Sequence, residues 1–283
     1  MSKFCLYMPP LSSIGSYREM VDYAAEHNIK YLETLNILDL STPDLQVAKD
    51  LKAYADSKGI TFPCVSVGIS LVDEDRKAAV ETLKRYADIA KILGSPYLHH
   101  TIALNFSDPA YIAENFQLFY NRGLEAVREV FDYAASIGIR TIYEDQGFVF
   151  NGKVTFARFL KDVDRNVGVV ADFGNIQFVD EDVEDFIAAV QDRIVHVHVK
   201  DYLVTPGGTR EKLPGEYTSR GGNYLQGCLI GKGSVHTDLA FQALAAMGYK
   251  GYVALEGDPI GPDEEASFCK NLQTVEQFIS RYL

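Results

Sequence analysis

The chain has 283 residues, 47% hydrophobic and 23% charged, with a formal net charge of −12. That acidity argues against nucleic acid as a partner, because a polyanion must be neutralised by a Lys/Arg surface. Cys5, Cys64, Cys228 and Cys269 form no CxxC pair, no apolar run approaches the roughly 18 residues of a membrane span, and MSKFCLYMPP has no signal-peptide core, so a reduced, cytoplasmic protein with no membrane partner is expected.

The first β-rich run is Phe4–Tyr7, and Ser16-Tyr17-Arg18-Glu19 reads as a capping box opening a helix after it. That helix stops at Asn28, ahead of Ile29-Lys30-Tyr31-Leu32 and Glu33. Thr42-Pro43 opens a second helix, which stops at Gly59 before Ile60-Thr61-Phe62. A third stops at Gly94 before Ser95-Pro96-Tyr97-Leu98 and the pair His99-His100. A fourth starts with Pro109 after Asp108 and stops at Gly138, before a strand that closes on Glu144. Val167–Ala171 runs into Asp172, Ile194–Val199 carries His198, and a last stop at Gly248 precedes the strand that closes on Glu256. At each stop Gly or Asn supplies the left-handed residue that ends a helix. Eight strands alternating with helices over residues 1–283 predict a single-domain α/β (β/α)8 TIM barrel. An open doubly wound sheet is the rival, but no GxGxxG follows the first strand.

Within Ile194–Asp201, a period of two puts His196, His198 and Lys200 on one face and Val195, Val197 and Val199 on the other. This suits a barrel strand with valines against outer helices and polar groups inside. Residues 201–230 show little periodicity and read as a long loop over the active face, acting as a lid or as an oligomer contact.

A single Glu or Asp closing a strand is ordinary. Glu144, Asp172, His198 and Glu256 close four strands in the second half of one chain, and in a parallel barrel those ends share the face where chemistry is done. Three carboxylates and one imidazole suit one divalent ion, with manganese expected ahead of magnesium, cobalt and zinc.

The pieces Tyr143-Glu144, Asp172-Phe173-Gly174-Asn175, His198-Val199-Lys200-Asp201, Gly231-Lys232-Gly233 and Leu255-Glu256-Gly257-Asp258 fall in an order that resembles the sugar isomerase/epimerase family of xylose-isomerase-like TIM barrels. The resemblance spans essentially the whole chain. It implies that Glu144, Asp172, His198 and Glu256 hold the metal and that Glu144 and Glu256 double as acid and base. The implied reaction is epimerisation or aldose–ketose isomerisation of a sugar or sugar phosphate through a metal-stabilised enediolate, with a small carbohydrate as partner and a homodimer or homotetramer compatible with it. His100, Glu33, Asn175 and Lys200 are the expected substrate contacts; Asn175 stands where many members carry a histidine. Gly231–Ser234 is a candidate phosphate cradle, with Arg210, Lys212 and Arg220 as helpers. An inosose-type dehydratase on the same site is the nearest alternative. An apurinic endonuclease, which needs more histidines than the six present, and a non-catalytic sugar-binding barrel are further ones.

Overall fold

A computed structural model describes residues 3–9, 14–257, 260–261 and 263–283; Asp258 lies outside them. The chain runs β1 (Lys3–Met8), α1 (Tyr17–Glu26), α2 (Leu45–Lys58), β2 (Cys64–Val67), α3 (Arg76–Leu93), β3 (Tyr97–His100), α4 (Pro109–Ser136), β4 (Arg140–Glu144) and α5 (Lys153–Val163). It continues with β5 (Gly168–Asp172), α6 (Val183–Val190), β6 (Ile194–Val199), β7 (Asp201–Thr205), β8 (Tyr217–Thr218), β9 (Tyr224–Cys228), α7 (Thr237–Ala246), β10 (Tyr252–Glu256) and α8 (Glu264–Tyr282).

Seven parallel strands pair in the order β1-β10-β6-β5-β4-β3-β2. The two edges are joined by a stave of single bridges, Leu6 to Leu32, Tyr31 to Thr61 and Thr34 to Val65. Its backbone bonds reach both ways: Glu33 donates to Leu6 O at 2.8 Å and Thr34 donates to Cys64 O at 3.2 Å. With that stave the sheet closes into the eight-membered α/β cylinder. Asn28, Gly59, Gly94, Gly138 and Gly248 all have positive φ, so each helix stop works as the sequence pattern requires. Two strands begin later than the sequence pattern placed them: β2 starts at Cys64 rather than Ile60, and β3 at Tyr97 rather than Ser95. The residues just after the left-handed stop are used to turn the chain back into the sheet. Asp44, not Pro43, heads α2, its carboxylate accepting from Gln46 N at 2.7 Å.

The cylinder has two apolar regions. Outside, Leu6, Leu32, Val65, Leu98, Tyr143, Val169, Val197 and Val253 pack against the helices in one large core. Inside, the lower end is filled by Cys64, Ile142 and Val170 with Tyr97 and Val195, and by Cys5, Tyr7 and Ala254 with Tyr31 and Tyr252. Val195 therefore departs from the outer face assigned to it. The register slips between Val169 and Val170, and the extra residue of β6 turns inward there. Gly168 makes room for it, since a Cβ would sit 2.7 Å from Val195 Cγ2 and 2.8 Å from Ile142 Cγ2. Among the described residues no helix is long and apolar enough to cross a membrane.

Residues 201–230 are not an irregular loop. β7 continues past the barrel rim from β6 and pairs antiparallel with β9, which pairs with β8. This flap is moored to the segment after β5. Arg220 N donates to Phe178 O at 2.8 Å, Gly221 N to Asp180 Oδ2 at 2.7 Å, and Tyr202, Tyr217 and Phe178 form an aromatic cluster.

Candidate metal centre

Glu144, Asp172 and Glu256 are the last residues of β4, β5 and β10, and His198 is the last inward residue of β6. Parallel register sets Asp172 beside His198, and His198 beside Ala254, two residues before Glu256. One ligand atom from each of the four lies within 4.8 Å of all the others. The imidazole Nδ1 is central: 2.8 Å from Glu144 Oε1, 3.1 Å from Glu256 Oε2 and 3.9 Å from Asp172 Oδ2. Glu144, Asp172 and His198 are buried, and Glu256, 23% exposed, marks the open side.

The donor set leaves room for a divalent ion on its own geometry. Asp172 Oδ1 is occupied by Gly174 N and Asn175 N, at 2.8 and 2.7 Å, which leaves Oδ2 for the cluster. Asp172 Oδ2 and Glu256 Oε2 are both buried without a hydrogen bond. Lys200 supplies a nearby positive charge, its Nζ 2.9 Å from Glu256 Oε1 and 3.1 Å from Asp172 Oδ2. Burial disfavours the charge on Lys200, but the Asp172 and Glu256 carboxylates outweigh it and hold its pKa well above the ordinary range. Burial pushes Asp172 well above the usual carboxylate range, with Lys200 opposing and Glu256 and Glu144 adding to the rise. Burial opposes a charge on His198, but Glu33 and Glu144 hold its pKa well above the ordinary imidazole value, so without an ion Lys200 and His198 are the cations facing these carboxylates. Three oxygens and one imidazole nitrogen around a common point fit a divalent cation.

Glu33, an expected substrate contact, is not at the open side of the site. It is fully buried beneath the quartet, with both oxygens engaged. His196 Nε2 lies 2.6 Å from its Oε2, His198 Nε2 lies 3.2 Å from each oxygen, and Ser66 Oγ donates to Oε1. Burial opposes its charge, yet His198 and His196 hold its pKa well below the ordinary value. An ionised carboxylate only accepts, so His198 presents Nε2–H to Glu33 and turns Nδ1 toward the other three side chains of the quartet. Tyr7 fixes the ring plane by stacking on it, centroids 4.6 Å apart.

His100, an expected substrate contact, faces out of the barrel, and its neighbour His99 faces in. His100 shares the outward face of Leu98, packs edge-on against Tyr143 and places Nδ1 2.9 Å from Thr101 O, so it cannot reach a ligand in the barrel. Burial among apolar groups lowers its pKa to about 3. His99 points inward, with Nδ1 2.9 Å from Ser66 Oγ and Nε2 3.7 Å from Glu144 Oε2. Its Nε2 is buried with no hydrogen bond. The parity of Leu98, an apolar outer residue, was the available signal for His99. Asn175 lies in the turn held by Asp172; its backbone oxygen accepts from Asn151 Nδ2 at 2.8 Å, while its own buried Nδ2 has no partner.

The Gly231–Ser234 turn cannot cradle phosphate. Its amides already serve Asp201, whose Oδ2 accepts from Gly231 N at 2.8 Å and Gly233 N at 3.0 Å, and whose Oδ1 accepts from Val235 N at 3.1 Å. A carboxylate in that position repels an anion. Arg210 is committed to Glu216, 2.5 Å from its Oε1. A Cβ on Gly233 would sit 2.1 Å from Asp201 Oδ1 and 2.5 Å from Tyr202 O. Gly233→Ala is therefore expected to destabilise the protein by about 1–3 kcal/mol through this overpacking. Thermal unfolding checks it, and an unchanged melting curve would refute the Asp201 clamp.

Known proteins agree with this architecture. An inosose dehydratase from Lactiplantibacillus plantarum is 23% identical over 228 residues, covering 75% of this chain and 73% of the relative. The crystal structure of the IOLI protein with a zinc atom superposes with a TM-score of 0.77 at 17% identity, covering 99% of each chain. L-ribulose 3-epimerase superposes with a TM-score of 0.75 at 16% identity, covering 100% of this chain and 96% of the other. A sequence model of one family matches residues 21–272, nearly the whole cylinder, and the chain belongs to that family, the xylose isomerase-like TIM barrels.

Proposed function

We propose that the chain is a divalent-metal-dependent sugar epimerase or isomerase that moves a proton on the carbon next to a ketone. The observation carrying this reading is the convergence of Glu144, Asp172, His198 and Glu256 within 4.8 Å at the strand ends. These four would hold the ion; manganese, magnesium, cobalt and zinc all suit the donors. When bound, the ion supplies Lewis-acid polarisation of a carbonyl and its neighbouring oxygen, worth several kcal/mol in the transition state.

The protein's own groups would do the rest. Glu144 and Glu256 project from staves three places apart in the cylinder, so they flank a ligand from different sides. One removes a proton from one face of the carbon; the other returns a proton to the opposite face, which inverts it. Return of the proton to the former carbonyl carbon instead gives isomerisation. Lys200, beside Glu256, would hold a substrate oxygen, and the free amide of Asn175 a hydroxyl.

A specific observation favours a second reading, loss of water from an inosose. The Lys200 ammonium, 2.9 Å from Glu256, is placed to hydrogen-bond a departing hydroxyl oxygen and stabilise its developing charge, and a dehydratase is among the relatives. One experiment separates the outcomes: metal-loaded protein in D2O with a ketose series and with inosose. Deuterium at the carbon without loss of oxygen supports epimerisation or isomerisation, and water loss supports the dehydratase. Absence of exchange with every polyhydroxy ketone, in protein proven to hold metal, would sink both.

A further inference from the structure

We propose that His27, Glu265 and Cys269 form a second metal site, of zinc type, on the outer surface where the end of α1 meets the start of α8. One ligand atom from each of the three lies within 4.8 Å of the others. Glu265 and Cys269 are four apart on α8 and so share a face; His27 is the residue that ends α1. A tetrahedral ion with bonds of about 2.0–2.3 Å to nitrogen, oxygen and sulfur has ligand–ligand edges of about 3.4–3.6 Å. His27 Nε2 lies 3.5 Å from Glu265 Oε1, and Cys269 Sγ lies 3.5 Å from the same oxygen. The cluster already has the spacing of two such edges.

The surroundings prepare the ligands. His27 Nδ1 is 2.9 Å from Tyr23 O, and because a carbonyl only accepts, Nδ1 carries the hydrogen. Nε2 is then left with its lone pair facing a carboxylate, an arrangement that a cation between them relieves. Backbone carbonyls play this orienting part behind metal-bound histidines generally. Tyr23 also stacks on the His27 ring, centroids 4.2 Å apart, and donates its hydroxyl to Glu265 Oε1 at 2.9 Å, so one side chain positions two ligands. The His27 and Glu265 side chains are 27% and 50% exposed, which lets an ion enter from solvent and leaves the fourth position to water. Coordination would release the Cys269 thiol proton. A thiolate with an imidazole selects zinc or cobalt over manganese or magnesium, unlike the oxygen-rich centre in the barrel.

The test compares ions on the whole protein. Wild type, Cys269→Ser and His27→Ala are dialysed against zinc or manganese and analysed for metal, with circular dichroism confirming the fold. The expected result is one more zinc than manganese per chain in wild type. Both variants should bind that extra zinc at least tenfold more weakly, with manganese content unchanged. Cobalt loading should add a thiolate-to-cobalt charge-transfer band that Cys269→Ser removes. Equal zinc and manganese content in wild type, wild-type zinc content in Cys269→Ser, or no thiolate band would overturn the site. Because His27 and Cys269 lie outside the barrel centre, the loss of zinc in the two variants stands whether or not that centre behaves as proposed.

Discussion

Glu144→Gln is expected to reduce turnover by a factor of about 10²–10⁴, the span over which a positioned acid or base contributes. Burial works against the charge on Glu144, but the His198 hydrogen bond and charge, with help from His99, outweigh it and hold the carboxylate below its ordinary pKa. It is therefore kept ionised, the form that can accept a proton. The amide keeps the size and one coordinating oxygen but cannot take a proton from carbon. Metal content must be measured alongside turnover, because the same side chain is a proposed ligand. If the variant regains wild-type turnover once saturated with metal, Glu144 only binds the ion and the base lies elsewhere. Deuterium exchange from solvent gives a second readout, independent of product release: it should fall with turnover. Wild-type exchange in a metal-loaded variant would end the assignment.

The parts legible in the sequence are those set by short-range chemistry. Left-handed helix stops are spelled by Gly or Asn, and five of them marked the βα alternation. Strand ends that carry Glu144, Asp172, His198 and Glu256 needed only the rule that parallel strands in a cylinder point one way. What stayed hidden depends on parity and on partners distant in the chain. The inward choice between His99 and His100 turns on a one-residue shift of strand start, and that shift reverses every side chain. β7 and β9 pair across a long excursion with weak alternation, so their sheet leaves almost no local trace. The role of Glu33 is invisible without the fold, because His196, His198 and Ser66 come from two other strands to occupy it. A strand-end glutamate looks the same whether it faces substrate or lies beneath the ligands.

That buried position makes Glu33→Gln the most informative change outside the quartet. Its shape is conserved, so packing is not the variable. What changes is the bonding rule: an amide offers one oxygen acceptor and an NH2 donor, where the carboxylate offered two acceptors to His196 and His198. If the NH2 turns toward His198 Nε2, the imidazole must become an acceptor there and carry its hydrogen on Nδ1, the atom 2.8 Å from Glu144 and central to the cluster. A nitrogen bearing hydrogen cannot ligate. Loss of such an orienting carboxylate typically weakens metal binding by about 10–100-fold, and that loss is expected here. There is a pH consequence as well. Glu33 has a depressed folded pKa, so its contribution to stability is complete above the unfolded carboxylate value and fades as pH falls through the folded one. Unfolding at pH 7 should therefore show the variant less stable, with the gap narrowing in acid as wild-type Glu33 takes up its proton. Metal titration followed by elemental analysis reads the first effect, and melting curves across pH read the second. Unaltered metal affinity in a folded Glu33→Gln protein would show that His198 keeps its tautomer without this carboxylate, leaving Tyr7 stacking and the ligands themselves to orient the ring.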